Sequence, residues 1–142
     1  MKFSMFHFSR LAVALLLCTL LVSCSKEDAA PKYADLIIGK WYITEAVFDN
    51  GTSYTPQNSC EKKSAFEFTK SGEFTLITYG QSGDLCIPSI EEGEYIMLEE
   101  EKKIMISIDT DSGVLDILKL DTKIMELYIP NSSVTYKLEK AP

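Results

Sequence analysis

Beyond residue 36 the chain is a succession of short runs rich in β-branched and aromatic residues, broken by Gly, Asn, Asp, Pro and Ser. No stretch sustains the 3.6-residue repeat of a substantial amphipathic helix, so the pattern predicts strands and turns. The first strand is expected from Lys40 to Phe48, ending at Asp49-Asn50-Gly51 and followed by a long loop, residues 49–63, that carries Tyr54, Pro56 and Cys60. Ala65 to Thr69 and Glu73 to Tyr79 read as a hairpin around Lys70-Ser71-Gly72. A second long loop, Gly80 to Ile90, holds Cys86 and Pro88. The remainder reads as a meander of five strands, Gly93 to Leu98, Lys103 to Asp109, Val114 to Asp121, Lys123 to Ile129 and Val134 to Lys140, with turns at 99–102, 110–113 and 130–133.

Short connections favour antiparallel neighbours in chain order. Eight such strands commonly close into an up-and-down barrel, which also removes exposed sheet edges. The expected fold is therefore all-β, an eight-stranded antiparallel barrel, with a β-sandwich as the competing arrangement. Alternation marks inward candidates: Phe66 and Phe68 flank Glu67, Ile104, Ile106 and Ile108 flank Met105 and Ser107, and Val134, Tyr136 and Leu138 flank Thr135 and Lys137. At Tyr95 to Leu98 both parities are apolar, so the inward face is not legible there.

The start of the chain has a different pattern. Lys2 and Arg10 precede a 12-residue apolar stretch, Leu11 to Val22, well short of the roughly 20 residues a membrane-spanning helix needs. That is the anatomy of a cleaved signal peptide, residues 1–23. Leu21-Val22-Ser23-Cys24 resembles the bacterial lipobox, which implies acylation of Cys24 (palmitate-type chains) and a membrane partner reached through N-terminal lipid. Two or three acyl chains, at about 0.8 kcal/mol per buried CH₂, make a stable anchor. Residues 24–35 read as a flexible tether, and the folded domain as 36–142. The acidic residues after Cys24 resemble the export signal of Bacteroidetes lipoproteins, which implies the outer membrane and its cell-surface face, with a periplasm-facing protein as the alternative.

Removing residues 1–23 leaves 119 residues with all 21 acidic and 12 of the 14 basic residues, a net charge of −9. Such a chain repels phosphate backbones, which excludes nucleic acid as a partner. The only histidine, His7, and the only arginine, Arg10, leave with the signal peptide. Ser-His-Asp and Cys-His catalysis and His-based zinc sites are excluded with them. Cys60 and Cys86 remain as an even pair in an oxidising compartment, so a disulfide is expected; a metal held by two thiolates and carboxylates is the other arrangement. The carboxylates at Glu91-Glu92 and Glu99-Glu100-Glu101 offer acid/base chemistry in principle but read more simply as solvated turns. No catalytic residue, metal or cofactor is assigned.

Leu36, Gly39-Lys40-Trp41, Cys60 before Phe66-Glu67-Phe68, Ser71-Gly72, Cys86 and Gly93-Glu94-Tyr95 together resemble the lipocalin-like domain lipoproteins of Bacteroidetes, over about residues 36 to 140. The resemblance implies that Gly39 and Trp41 form the base of the barrel. Two departures stand out. Lipocalins carry a late arginine against the tryptophan, for which Lys137 is a partial substitute, and the second, threonine-aspartate-tyrosine, motif has no match. If β-strand one rises from the closed end, loops 49–63 and 80–90 and both cysteines lie together at the open end, where a bridge is feasible.

Two functions follow. In the first, the barrel binds a small, mostly apolar ligand, with Glu45, Phe66, Phe68, Tyr95, Ile106 and Tyr136 as candidate contacts. Ordinary core packing accounts equally for the aromatics, and a bulge that turns it to solvent for Glu45. In the second, the barrel is filled and its open-end loops, with Tyr54 and Tyr79, contact protein or glycan. The sequence sets no oligomeric state.

Overall fold

The computed structural model describes residues 32–142. The expected signal peptide, residues 1–23, the lipidation site Cys24 and most of the tether lie outside the described residues. The chain enters through a one-turn helix, α1 (Tyr33–Leu36), and then forms β1 (Gly39–Phe48), β2 (Ser53–Tyr54), β3 (Ala65–Phe68), β4 (Glu73–Ser82), β5 (Leu85–Leu98), β6 (Lys103–Ile108), β7 (Asp111–Leu120), β8 (Ile124–Ile129) and β9 (Val134–Lys140). All pairings are antiparallel, and β9 pairs back onto β1 through Trp41↔Lys140 to Phe48↔Val134. That closure makes an eight-stranded barrel of β1 and β3 to β9, with the two-residue β2 as a flange on β1, and it excludes the sandwich.

One end is plugged. Trp41 is completely buried, and its indole N–H donates to the Ile37 carbonyl at 2.7 Å, tying β1 to the segment after α1. Gly39, at φ +125°, lets that segment turn under the barrel. Tyr33 and Leu36 pack against the core, so the last residues of the expected tether belong to the fold. The α1 amide of Ala34 donates to the Glu101 carboxylate, and Glu99 pairs with Lys103 at 3.3 Å, which gives two of the three turn glutamates structural partners. Ile104, Met125, Leu127 and Leu138 are completely buried in the same core as Trp41.

The expected loop Gly80 to Ile90 is instead the upper half of a long β4–β5 hairpin, paired from Glu73↔Glu94 to Ser82↔Leu85 around a turn at Gly83 (φ +60°). The serines, glycines and Pro88 that read as loop residues are tolerated because β5 pairs with β6 only from Glu94↔Ser107 to Leu98↔Lys103. Above Glu94 the outer edge of β5 is free, and a free edge is where a strand accepts proline. Gly93 sits at the divergence, where an added Cβ would overlap the Ser107 carbonyl oxygen. The hairpin thus rises as an arm, with Leu85, Ile87 and Ile90 exposed (70, 55 and 56%). Similarly, the expected turn at 110–113 is shorter, because β7 already pairs at Ile108↔Asp111.

The arm is held at the mouth by a Cys60–Cys86 disulfide with a Cα–Cα distance of 5.2 Å. Cys60 caps the 3₁₀ turn Glu61–Lys63 that leads into β3, and Asn58 fixes that turn by accepting from the Cys60 and Glu61 amides. The bridge, which joins the β2–β3 connection to the β5 arm, lies at the end opposite Trp41, as the geometry of alternating strands requires.

A half-open apolar cavity at the barrel mouth

Toward the mouth the barrel interior is not filled. A cavity of about 230 Å³ opens toward the mouth, walled by Phe66 of β3, Phe74 and Leu76 of β4, Ile106 and Ile108 of β6, Leu115 of β7, Ile129 of β8 and Tyr136 of β9. Glu91, Asp111 and Ser112 form its rim. The Tyr136 ring meets Phe66 edge-on at 5.5 Å, and burial pushes its hydroxyl pKa up from the ordinary phenol value. Tyr136 brings the only aromatic hydroxyl to an otherwise apolar wall.

A second cavity of about 250 Å³ lies beside the first, under the β2–β3 connection, and shares Tyr136 as a wall. Ile43, Ala46, Phe48, Tyr54, Pro56, Glu61, Ser64, Thr78 and Tyr79 complete it. Within the connection Glu61 accepts from both the Tyr54 hydroxyl and the Gln57 amide. The Tyr54 hydroxyl, followed by that amide, holds the Glu61 carboxyl below its usual pKa, and the same contact raises the pKa of Tyr54. The Tyr54 hydroxyl is therefore engaged by its own loop while the residue stays 45% exposed, and Tyr79 is half-buried.

Of the residues expected to contact a ligand, Phe66, Ile106 and Tyr136 line the first cavity. Phe68 and Tyr95 do not. They lie lower, edge-to-face at 5.1 Å with the Tyr95 hydroxyl donating to the Thr69 carbonyl, and belong to the packing around the closed end. Glu45 is corrected to the outer face. A register shift between Ile43 and Glu45 makes Ala46 the inward residue after Ile43, so parity counted from Trp41 fails beyond this point. Outside, Glu45 pairs with Lys137 at 2.8 Å, and the ammonium lowers its carboxyl pKa.

That pairing also corrects the role expected for Lys137. The cation over the tryptophan is Lys140, whose ammonium lies 4.9 Å from the Trp41 ring and donates to the Leu36 carbonyl at 2.9 Å. Lys140 is directly opposite Trp41 in the β1–β9 register, whereas Lys137 has the opposite parity. Sequence reasoning also missed Phe74, Leu76 and Leu115 as cavity walls. Phe74 and Leu76 were readable by extending the Phe66–Phe68 alternation around the hairpin; Leu115 needed the β6–β7 register, in which it faces Ile104.

Among the described residues no group of three or more His, Cys, Asp and Glu side chains is placed to hold a metal ion. The family model for the lipocalin-like domain matches residues 37–127. A crystal structure of a lipocalin-like protein from Bacteroides uniformis superposes with a TM-score of 0.59 at 16% identity, covering 74% of this chain and 98% of that one. A bovine lipocalin allergen gives a TM-score of 0.45 at 15% identity, covering 76% and 75%. No curated protein sequence matches.

Proposed function

We propose, on the premise that this chain belongs to the lipocalin-like domain family, that its barrel binds a small, mostly apolar molecule in the mouth cavity while acyl chains on Cys24 hold the protein at the outer membrane. Barrels of this kind are in general binders rather than enzymes. The observation that carries the reading is the apolar cavity above a plugged, fully packed base. Eight strands are the count at which an interior either fills or holds one small ligand. At about 230 Å³ the cavity falls below the roughly 300–1,000 Å³ of drug-sized sites. The expected ligand is correspondingly small, comparable to about eight liquid waters in volume.

A neutral naphthylamine fluorophore added to a soluble form beginning at Ser25, which contains the whole closed barrel, is expected to bind saturably at one site. Leu115→Phe, which occupies the cavity from β7 and takes the ligand's space, is expected to weaken that binding at least about tenfold, or about 1.4 kcal/mol. Linear, non-saturating fluorescence, or equal affinity in the variant, defeats the cavity reading. The exposed Leu85, Ile87 and Ile90 of the arm favour the second reading in that event, a contact module working through its mouth.

The anchoring half is tested separately. Cys24→Ala is expected to move the protein from the membrane pellet to the soluble fraction. A variant that still sediments with membranes after a high-salt wash removes the lipid from the account.

A further inference from the structure

We infer that the ligand of the mouth cavity is an amphiphile with a cationic end, an amine or ammonium whose apolar body lies against Phe66, Ile106 and Leu115 and whose charge sits at the rim formed by Glu91 and Asp111. This rests on the reading of the cavity as a binding site and names its ligand class. Glu91 is paired in register with Leu76, and Asp111 with Ile108, and all four line the cavity, so both carboxylates occupy inward strand positions at the level where the lining turns from apolar to polar. Glu91 also borders an opening in the wall. Above Glu94↔Ser107 the β5 arm parts from β6, and the cleft between them is bordered by Ile90, Glu91, Glu92, Ile108 and Asp109.

Nothing basic answers these acids. The ion pairs among the described residues are Lys103 with Glu99 and Asp116, and Lys137 with Glu45, all away from the cavity. No lysine lines either cavity, and the second presents a further carboxylate, Glu61. An apolar carboxylic acid that entered tail first would leave its own negative charge against Glu91 and Asp111 without a partner. An ammonium in the same place gains both. A cleft of one sign with low-dielectric walls also concentrates the opposite charge from solution.

The test uses three ligands of one chain length, octylammonium, octanol and octanoate, each displacing the neutral fluorophore from the soluble form at neutral pH. Octylammonium is expected to bind at least about tenfold more tightly than octanoate, with octanol between them, and added salt is expected to narrow the ratio. In the Glu91→Gln/Asp111→Asn double variant, both positions being exposed and outside the core, the ammonium-to-octanoate ratio is expected to fall to about one. Equal binding of octylammonium and octanoate to the unaltered protein, with octanol still displacing the probe, overturns the charge assignment alone. A ratio that survives in the double variant also overturns it. Failure of octanol itself to displace the probe removes the cavity reading and this inference together.

Discussion

Trp41→Ala is expected to lower the free energy of unfolding by about 3–5 kcal/mol, the range found when a buried aromatic is truncated to alanine. The indole is completely buried at the plugged end, and its removal leaves a void in the core it shares with Ile104, Met125, Leu127 and Leu138. It also strands the Ile37 carbonyl, which accepts the indole N–H, and takes away the ring over which Lys140 lies. Since a domain of this size has about 5–15 kcal/mol in total, the variant stands near the edge of folding. Urea unfolding followed by far-ultraviolet circular dichroism measures the loss, as the variant has no tryptophan fluorescence. Trp41→Phe, which keeps most of the volume and gives up the hydrogen bond, is expected to lose about 1–3 kcal/mol. A loss under about 1 kcal/mol for the alanine variant would mean that the base is held by β1–β9 pairing and not by the plug.

Opening the Cys60–Cys86 bridge is expected to be the other large effect. The cysteines are 26 residues apart, and closing a loop of that length restricts the unfolded chain by about 3.5 kcal/mol in the chain-entropy model. The double variant Cys60→Ser/Cys86→Ser, or the reduced protein, is expected to shift the urea midpoint accordingly. The effect is expected to be uneven in space. Below Gly93 β5 is laddered to β6 within the closed barrel, whereas above it β5 has only β4 and the bridge. Amide exchange in Leu85 to Ile90 is therefore expected to quicken more than exchange in β6 to β9 at matched stability. Uniform quickening across the barrel would show that the bridge acts on the unfolded chain alone and does not hold the arm.

Much of the fold can be read from local pattern. Ile104, Ile106 and Ile108 face inward as their alternation requires, as do Val134, Tyr136 and Leu138, because a strand buried on one face has period two wherever its register is regular. Gly39 and Trp41 mark the closed end for a similar reason: one must turn the chain and the other must be buried. The cysteine pair was legible from count, compartment and the up-down order of strands. By contrast, local pattern leaves Glu45 open between the barrel interior and solvent past a bulge, and the structure has the bulge, which lies between Ile43 and Glu45 and reverses the faces of β1. No residue type in Ile43-Thr44-Glu45 announces it. The bulge appears only when β1 pairs along its length with β9.

The amino-acid order by itself thus determined the strand content, the closed end and most inward positions, since these follow from hydrophobic period and turn chemistry acting over a few residues. Closure decided the rest. Pairing β1 with β9 set Lys140, not Lys137, above Trp41 and sent Glu45 outward to Lys137. The parting of β5 from β6 at Gly93 turned an apparent loop into an arm, made room for Pro88 at a free edge, and put Glu91 and Asp111 at the rim of one cavity. These are relations between residues far apart in the chain, and their physical cause is register between strands, which no window of neighbouring residues contains.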